Sequence, residues 1–213
     1  MKILHLSDTH GAHRRTGDLP EADVFVHSGD FTMTGTEAEA IDFLNWLCDL
    51  PYKHKIFICG NHDECLYGAN IDGLDGNVHY LCNSRIVIDE VTLHHKNINS
   101  CKETKGIKFY GIPLFMGDSM FGKQNRFYEK IPVDTDVLIT HCPPCGILDF
   151  DDVRNWGSEK LLSAVTKLSP RAHLFGHIHK SHGIEQIGST IYSNAAIMNE
   201  DYTNLQSPNI IEI

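Results

Sequence analysis

Lys2-Ile3-Leu4-His5-Leu6-Ser7-Asp8-Thr9-His10 is a short apolar run that stops abruptly at a cluster of polar side chains. The arrangement recurs four more times. Asp23–His27 gives way to Gly29-Asp30, Lys55–Cys59 to Gly60-Asn61-His62-Asp63, Asp136–Thr140 to His141, and Ala172–Phe175 to Gly176-His177-Ile178-His179. Short apolar, β-branched runs between turn formers read as buried strands, and Arg85–Ile88, Ile107–Gly111, Thr190–Tyr192 and Asn209–Ile213 add four. Thr36-Glu37-Ala38-Glu39 is a capping box leading into helical spacing through Ala40, Ile41, Phe43, Leu44, Trp46 and Leu47. A second helix opens at Ser158, carries Leu161, Leu162, Val165 and Leu168, and is stopped by Pro170. Strands alternating with helices predict a layered α/β fold with the sheet covered on both sides. The region from about residue 78 to 111 has strands without helices, so part of the sheet is expected to be antiparallel or mixed.

Of the 213 residues, 41% are hydrophobic and 22% charged, the composition of an ordinary globular chain rather than a disordered or collagen-like one. No repeat or Pro/Ser-rich linker divides it, so a single domain spanning residues 1–213 is expected. Eighteen basic against 28 acidic side chains give a net charge of −10 with histidines neutral. That balance opposes long-range attraction to nucleic acid or an anionic membrane, so a phosphate-bearing ligand must be captured locally. His5 and Asp8 interrupt the start where a signal peptide needs unbroken apolar residues, and no run approaches the roughly 18 apolar residues of a spanning helix. A cytoplasmic protein with no membrane partner is expected. The seven cysteines have no disulfide-scaffold rhythm and are expected to be reduced. Cys142-Pro143-Pro144-Cys145 lacks the second pair that a tetrahedral zinc site needs, and reads as a stiff structural turn.

Ligands of open α/β sheets bind at the carboxyl ends of the strands, so the five polar turns can converge on one point. Asp8, His10, Asp30, Asn61, His141, His177 and His179 would then form a set of two carboxylates, one amide oxygen and four imidazoles. A mixed oxygen and nitrogen set without thiolate suits manganese first, with iron, zinc, cobalt or nickel as alternatives. Seven ligands are too many for one transition-metal ion that keeps a position open, and suit two ions sharing a carboxylate.

The ordered motifs Asp8-Thr9-His10, Gly29-Asp30, Gly60-Asn61-His62-Asp63, Thr140-His141 and Gly176-His177-Ile178-His179 resemble those of the calcineurin-like metallophosphoesterases. Gly111-Ile112-Pro113, Thr140-His141-Cys142-Pro143-Pro144 and Ser193-Asn194-Ala195 further resemble the metallophosphoesterase-domain branch described from vertebrate brain and its bacterial relatives. The resemblance implies the metallo-dependent phosphatase fold, a layered sandwich of two mixed β-sheets flanked by helices. It implies one metal held by Asp8, His10, Asp30 and His179 and a second by Asp30, Asn61, His141 and His177, with Asp30 bridging. His62 would stand beside the scissile phosphate without binding metal, oriented by Asp63. Thr140 stands where many members have Gly, at little cost because His141 carries the chemistry. Some brain-type members have Gly in place of His177 and look catalytically weakened; this chain keeps the histidine.

Two divalent ions against the Asp8 and Asp30 carboxylates would make the pocket locally positive in an acidic protein. The chemistry expected is in-line attack on phosphorus by a hydroxide shared between the ions, with His62 as general acid or electrostatic stabiliser of the leaving alkoxide. The leading expectation is hydrolysis of small phosphodiesters, cyclic nucleotides among them. A phosphomonoesterase or nuclease with the same site is the alternative, the acidic balance arguing against long nucleic acid. A non-catalytic metal-stabilised scaffold is the reading from a different class. His13-Arg14-Arg15 is either a phosphate contact or a solvated loop. Phe115, Phe121, Phe127 and Tyr128 either wall a base- or lipid-accepting pocket or pack as core. His94-His95-Lys96 is expected to be an exposed turn or edge strand, and His5, His27, His54, His79, His173 and His182 to be structural or surface histidines.

Overall fold

The structure is a computed structural model describing residues 1–89, 106–120 and 122–213; His94-His95-Lys96, Cys101 and Phe121 lie outside the described residues. One sheet consists of β1 (Lys2–Leu6), β2 (Val24–His27), β3 (His54–Phe57) and β4 (Val78–Tyr80), parallel in that order, with β11 (Asn209–Glu212) antiparallel on the free edge of β1. The other has the order β5 (Ser84–Ile88), β6 (Ile107–Ile112), β7 (Val137–Thr140), β8 (Ala172–Phe175), β10 (Thr190–Asn194), β9 (Gly183–Ile187), with its two edge strands antiparallel. Both sheets are mixed, and the architecture is the expected α/β sandwich.

Alternation within the strands builds three apolar layers. Ile3, Val24, Val26 and Ile56 face Phe109, Val137, Ile139, Ala172 and Leu174 across the space between the sheets. The opposite face of the first sheet presents Leu4, Phe25 and Phe57 to Phe43, Trp46 and Leu47 of helix α1 (Glu37–Asp49). The outer face of the second presents Leu138 and Phe175 to Leu161 and Val165 of helix α4 (Glu159–Leu168). Each fully buried side chain of this kind contributes about 1.5–3 kcal/mol. Thr36 caps α1 in the expected box, its hydroxyl accepting from the Glu39 amide and the Glu39 carboxylate accepting from the Thr36 amide. Ser158 caps α4, which ends in the left-handed residue Ser169 ahead of Pro170.

Four elements escape the sequence pattern. β4 has only three residues, and β9 is a mostly exposed edge strand, so neither carries a readable apolar face. Helices α2 (Met116–Met120) and α3 (Asn125–Tyr128) are barely one turn long. The two sheets are joined where β1 ends: the Ser7 amide donates to the Ala195 carbonyl at 2.8 Å and the Ile197 amide to the Ser7 carbonyl at 3.0 Å. Asp8 is the next residue.

Candidate metal centre

Asp8 and His10 lie on the turn after β1, Asp30 after β2, and Asn61, His62 and Asp63 after β3, on three adjacent parallel strands. His141 follows β7 and His177 and His179 follow β8, neighbours in the other sheet. The carboxyl ends of both sets open on the same side, at the junction of the sheets. The turns are tight enough to force unusual backbone: Asp8, His10, Asp30 and His177 have φ of 54°, 43°, 56° and 73°. Left-handed non-glycine residues cluster where the surroundings over-determine them, and Asp and His tolerate the region better than most. A Cβ on Gly60 would run into the Asp30 carboxylate, and one on Gly176 into that of Asp8.

The donor atoms converge as three overlapping groups, each with its atoms within 4.8 Å of one another: Asp8, His10 and His179; His10, Asp30 and His62; Asp30, His141 and His177. Asp8 Oδ1 is 3.4 Å from His179 Nε2 and 3.9 Å from His10 Nε2. Asp30 Oδ2 lies 3.2 Å from His141 Nε2 and 4.0 Å from His10 Nε2, between the two outer groups. Buried polar atoms are almost always hydrogen-bonded, yet Asn61 Oδ1 and His141 Nε2 are buried without a hydrogen-bond partner. An orphaned imidazole nitrogen within a cluster of carboxylates and imidazoles fits a cation-binding site, and Asn61 carries its orphaned oxygen on the adjoining turn after β3. His62 was expected to stand clear of the metals, but a ring nitrogen of it reaches the middle group.

The electrostatics agree with that fit. Burial pushes the Asp8 and Asp30 carboxyls up, but His141 and the other facing histidines outweigh it, leaving both below the usual carboxylate range. Burial holds His177 down at about 4, so its lone pair is free. It also acts downward on His141, where the Asp30 and Asp8 carboxylates win and raise the ring to about 10.

Supporting contacts bring in Ser28, Thr32 and Met33, which the sequence did not single out. Asp63 was expected to orient His62; its carboxylate instead accepts from the amides of Asp30, Thr32 and Gly60 and from the Thr32 hydroxyl, at 2.8 to 2.9 Å. It pins the β2 turn to the β3 turn. Burial and the facing Asp30 push its proton affinity up to about 7, against the pull of those donors. The His62 ring is held by the Met33 carbonyl, to which Nδ1 donates at 2.7 Å. His141 Nδ1 donates to the Ser28 carbonyl at 2.9 Å. Behind these turns lie fully buried histidines: His5 bridges the hydroxyls of Ser193 and Ser28, and His27 accepts from the Gly29 amide and pairs with the Thr9 hydroxyl. Burial holds His27 down at about 3, so it is an uncharged peg. Their signal in the sequence is a histidine inside an otherwise apolar strand, one turn short of a polar motif.

The remaining expectations resolve simply. His13 is buried, bonded to Asp42 and packed on Phe43 and Trp46; Arg14 pairs with Asp42 and Arg15 with the Thr203 carbonyl. Phe115 belongs to the core under α1, and Tyr128 to the core under α4 with Phe127 packed against it, so these rings wall no shared pocket. The six described cysteines are free, and burial raises the Cys142 thiol to about 12, so it stays protonated. A cavity of about 560 Å³ beside α3 and α4 contains none of the candidate site residues. No helix among the described residues is long and apolar enough to cross a membrane.

Residues 1–181 match the family described as calcineurin-like phosphoesterase. Metallophosphoesterase domain-containing protein 1 of Homo sapiens is 33% identical over 100% of this chain and 71% of its own length. A UPF0046 protein of Caenorhabditis elegans is 34% identical over 94% of this chain and 71% of its own. Among solved structures, TT1561 of Thermus thermophilus superposes with a TM-score of 0.61 at 12% identity, covering 91% of this chain and 88% of that one, a likeness of fold. With the family match running from the first residue through the last of the five motifs, and a human relative matching along the whole length, the chain belongs to the calcineurin-like phosphoesterases.

Proposed function

We propose that this chain hydrolyses small phosphodiesters at a two-metal centre, with Asp8, His10, Asp30 and His179 holding one ion and Asp30, Asn61, His141 and His177 the other. Family membership supports metal-dependent phosphoester hydrolysis. The observation that carries the two-ion reading is the place of Asp30 Oδ2, facing a histidine of each outer group at 3.2 and 4.0 Å. Manganese suits the mixed donor set, as do the neighbouring first-row ions. Bound there, two divalent ions supply Lewis acidity toward a phosphoryl group and lower the pKa of water.

The chain's own part is positioning and proton handling. Asp30 and Asp8 balance half the charge of two divalent ions, leaving a positive pocket that captures phosphate despite the acidic whole. The Met33 carbonyl fixes His62 through Nδ1, which leaves Nε2 to carry a proton to the leaving alkoxide. Met33, whose carbonyl holds His62, and Tyr202, whose ring packs on His10, are both exposed beside the site, where organic groups on phosphorus would meet them.

Turnover of bis(p-nitrophenyl) phosphate against p-nitrophenyl phosphate, with Mn²⁺ and with chelator, tests this. The diester is expected to be the faster substrate, with activity lost on chelation. A faster monoester would assign the same site to a phosphomonoesterase. Turnover of neither with metal present would favour a non-catalytic scaffold.

A further inference from the structure

We propose that Tyr202 is the surface against which the substrate's organic group stacks, so that the site favours phosphoesters bearing a flat aromatic ring. This rests on the hydrolase reading above and adds its substrate class. The Tyr202 ring centroid lies 5.0 Å from that of His10 and 5.4 Å from that of His179, both edge-to-face. Among the described residues it is the only non-histidine ring packed on a candidate ligand, and 40% of the residue remains exposed. His62 packs on the same His10 ring at 4.7 Å, so His10 is flanked by the proposed proton donor and by a partly exposed aromatic residue.

The backbone holds that ring in place. Tyr202 has φ +56°, a conformation that a bulky side chain keeps only where its surroundings insist. Here the Asn199 side-chain oxygen accepts from the amides of Thr203 and Asn204, and the Asn199 carbonyl accepts from the Tyr202 amide. That carbonyl also accepts from His179 Nδ1 at 3.4 Å, so one residue sets both the turn and a candidate ligand. Arg15 anchors the turn from outside by donating to the Thr203 carbonyl at 2.8 Å. The family match ends at residue 181, so this turn lies beyond the part of the chain it covers. A preorganised ring loses little conformational freedom on binding, and stacking of a planar group on an aromatic side chain is worth about 1–3 kcal/mol, or roughly 5- to 150-fold in affinity.

Calorimetric binding of phenyl phosphate and methyl phosphate to the Mn²⁺-loaded protein tests this, because the two ligands differ in the ring. Tyr202→Gly removes the ring and accepts φ +56° freely, so the turn survives; Tyr202→Phe keeps the ring and loses the hydroxyl. The wild type and Tyr202→Phe are expected to prefer phenyl phosphate by at least about fivefold, and Tyr202→Gly to bring the two affinities within about twofold, with metal content matching the wild type in elemental analysis. A preference that Tyr202→Gly leaves at the wild-type ratio, or that Tyr202→Phe abolishes, would overturn the stacking role while leaving the hydrolase intact. A wild type that binds neither ligand, or both alike, would overturn the stacking role, and failure to turn over any ester as well would overturn the hydrolase reading with it.

Discussion

The candidate ligands are single residues at the ends of strands, and four of them are held in the left-handed region by their turns. The sequence exposes their identity because Asp, Asn and His after an apolar run are conspicuous; it hides their geometry because positive φ is imposed by the opposing turn. His62 shows the difference. Its motif was readable, but its partner, the Met33 carbonyl, was not, since any residue supplies a carbonyl. His62→Ala is expected to lower kcat on bis(p-nitrophenyl) phosphate at least about tenfold, below the usual range for a general acid, with metal content unchanged by elemental analysis. Because a ring nitrogen of His62 also reaches His10 and Asp30, loss of metal in this variant would make His62 a ligand and cancel its proposed role as proton donor.

Among the elements, the longer strands and the two long helices were legible because alternation and capping are local: β1, β8 and the Thr36 box stand where the pattern puts them. The short parallel strand β4, the edge strand β9 and the short helices α2 and α3 were not, since their form depends on neighbours. The turn-to-turn staple at Asp63 is a long-range feature of this kind, joining the β2 turn to the β3 turn through three accepted hydrogen bonds and closing its own turn with a fourth. A buried carboxylate so placed is costly to lose, and Asp63→Ala is expected to destabilise the protein by about 3 kcal/mol. Thermal unfolding in chelator, which separates this effect from metal binding, should show Tm lower by roughly 6–12 °C. An unchanged Tm would mean that the carboxylate does not hold the turns together.

Across the whole molecule, two mixed sheets meet at Ser7 and bring the donors of Asp8, His10, Asp30, His141, His177 and His179, far apart in the chain, into overlapping groups. The strand order that achieves this was not legible, because pairing is decided by packing between sheets and not by any one strand. The convergence was legible, because carboxyl ends of parallel strands share a side. Asp30 stands between the outer groups of that arrangement, 3.2 Å from His141 and 4.0 Å from His10. Metal stoichiometry of the wild type and of Asp30→Ala, read by elemental analysis after gel filtration in Mn²⁺ alongside diester turnover, tests that arrangement most directly. The wild type should hold about two ions per chain, and Asp30→Ala at most about one, with turnover lower by roughly 100-fold or more. An Asp30→Ala protein that keeps both ions and normal turnover would contradict the shared-carboxylate centre.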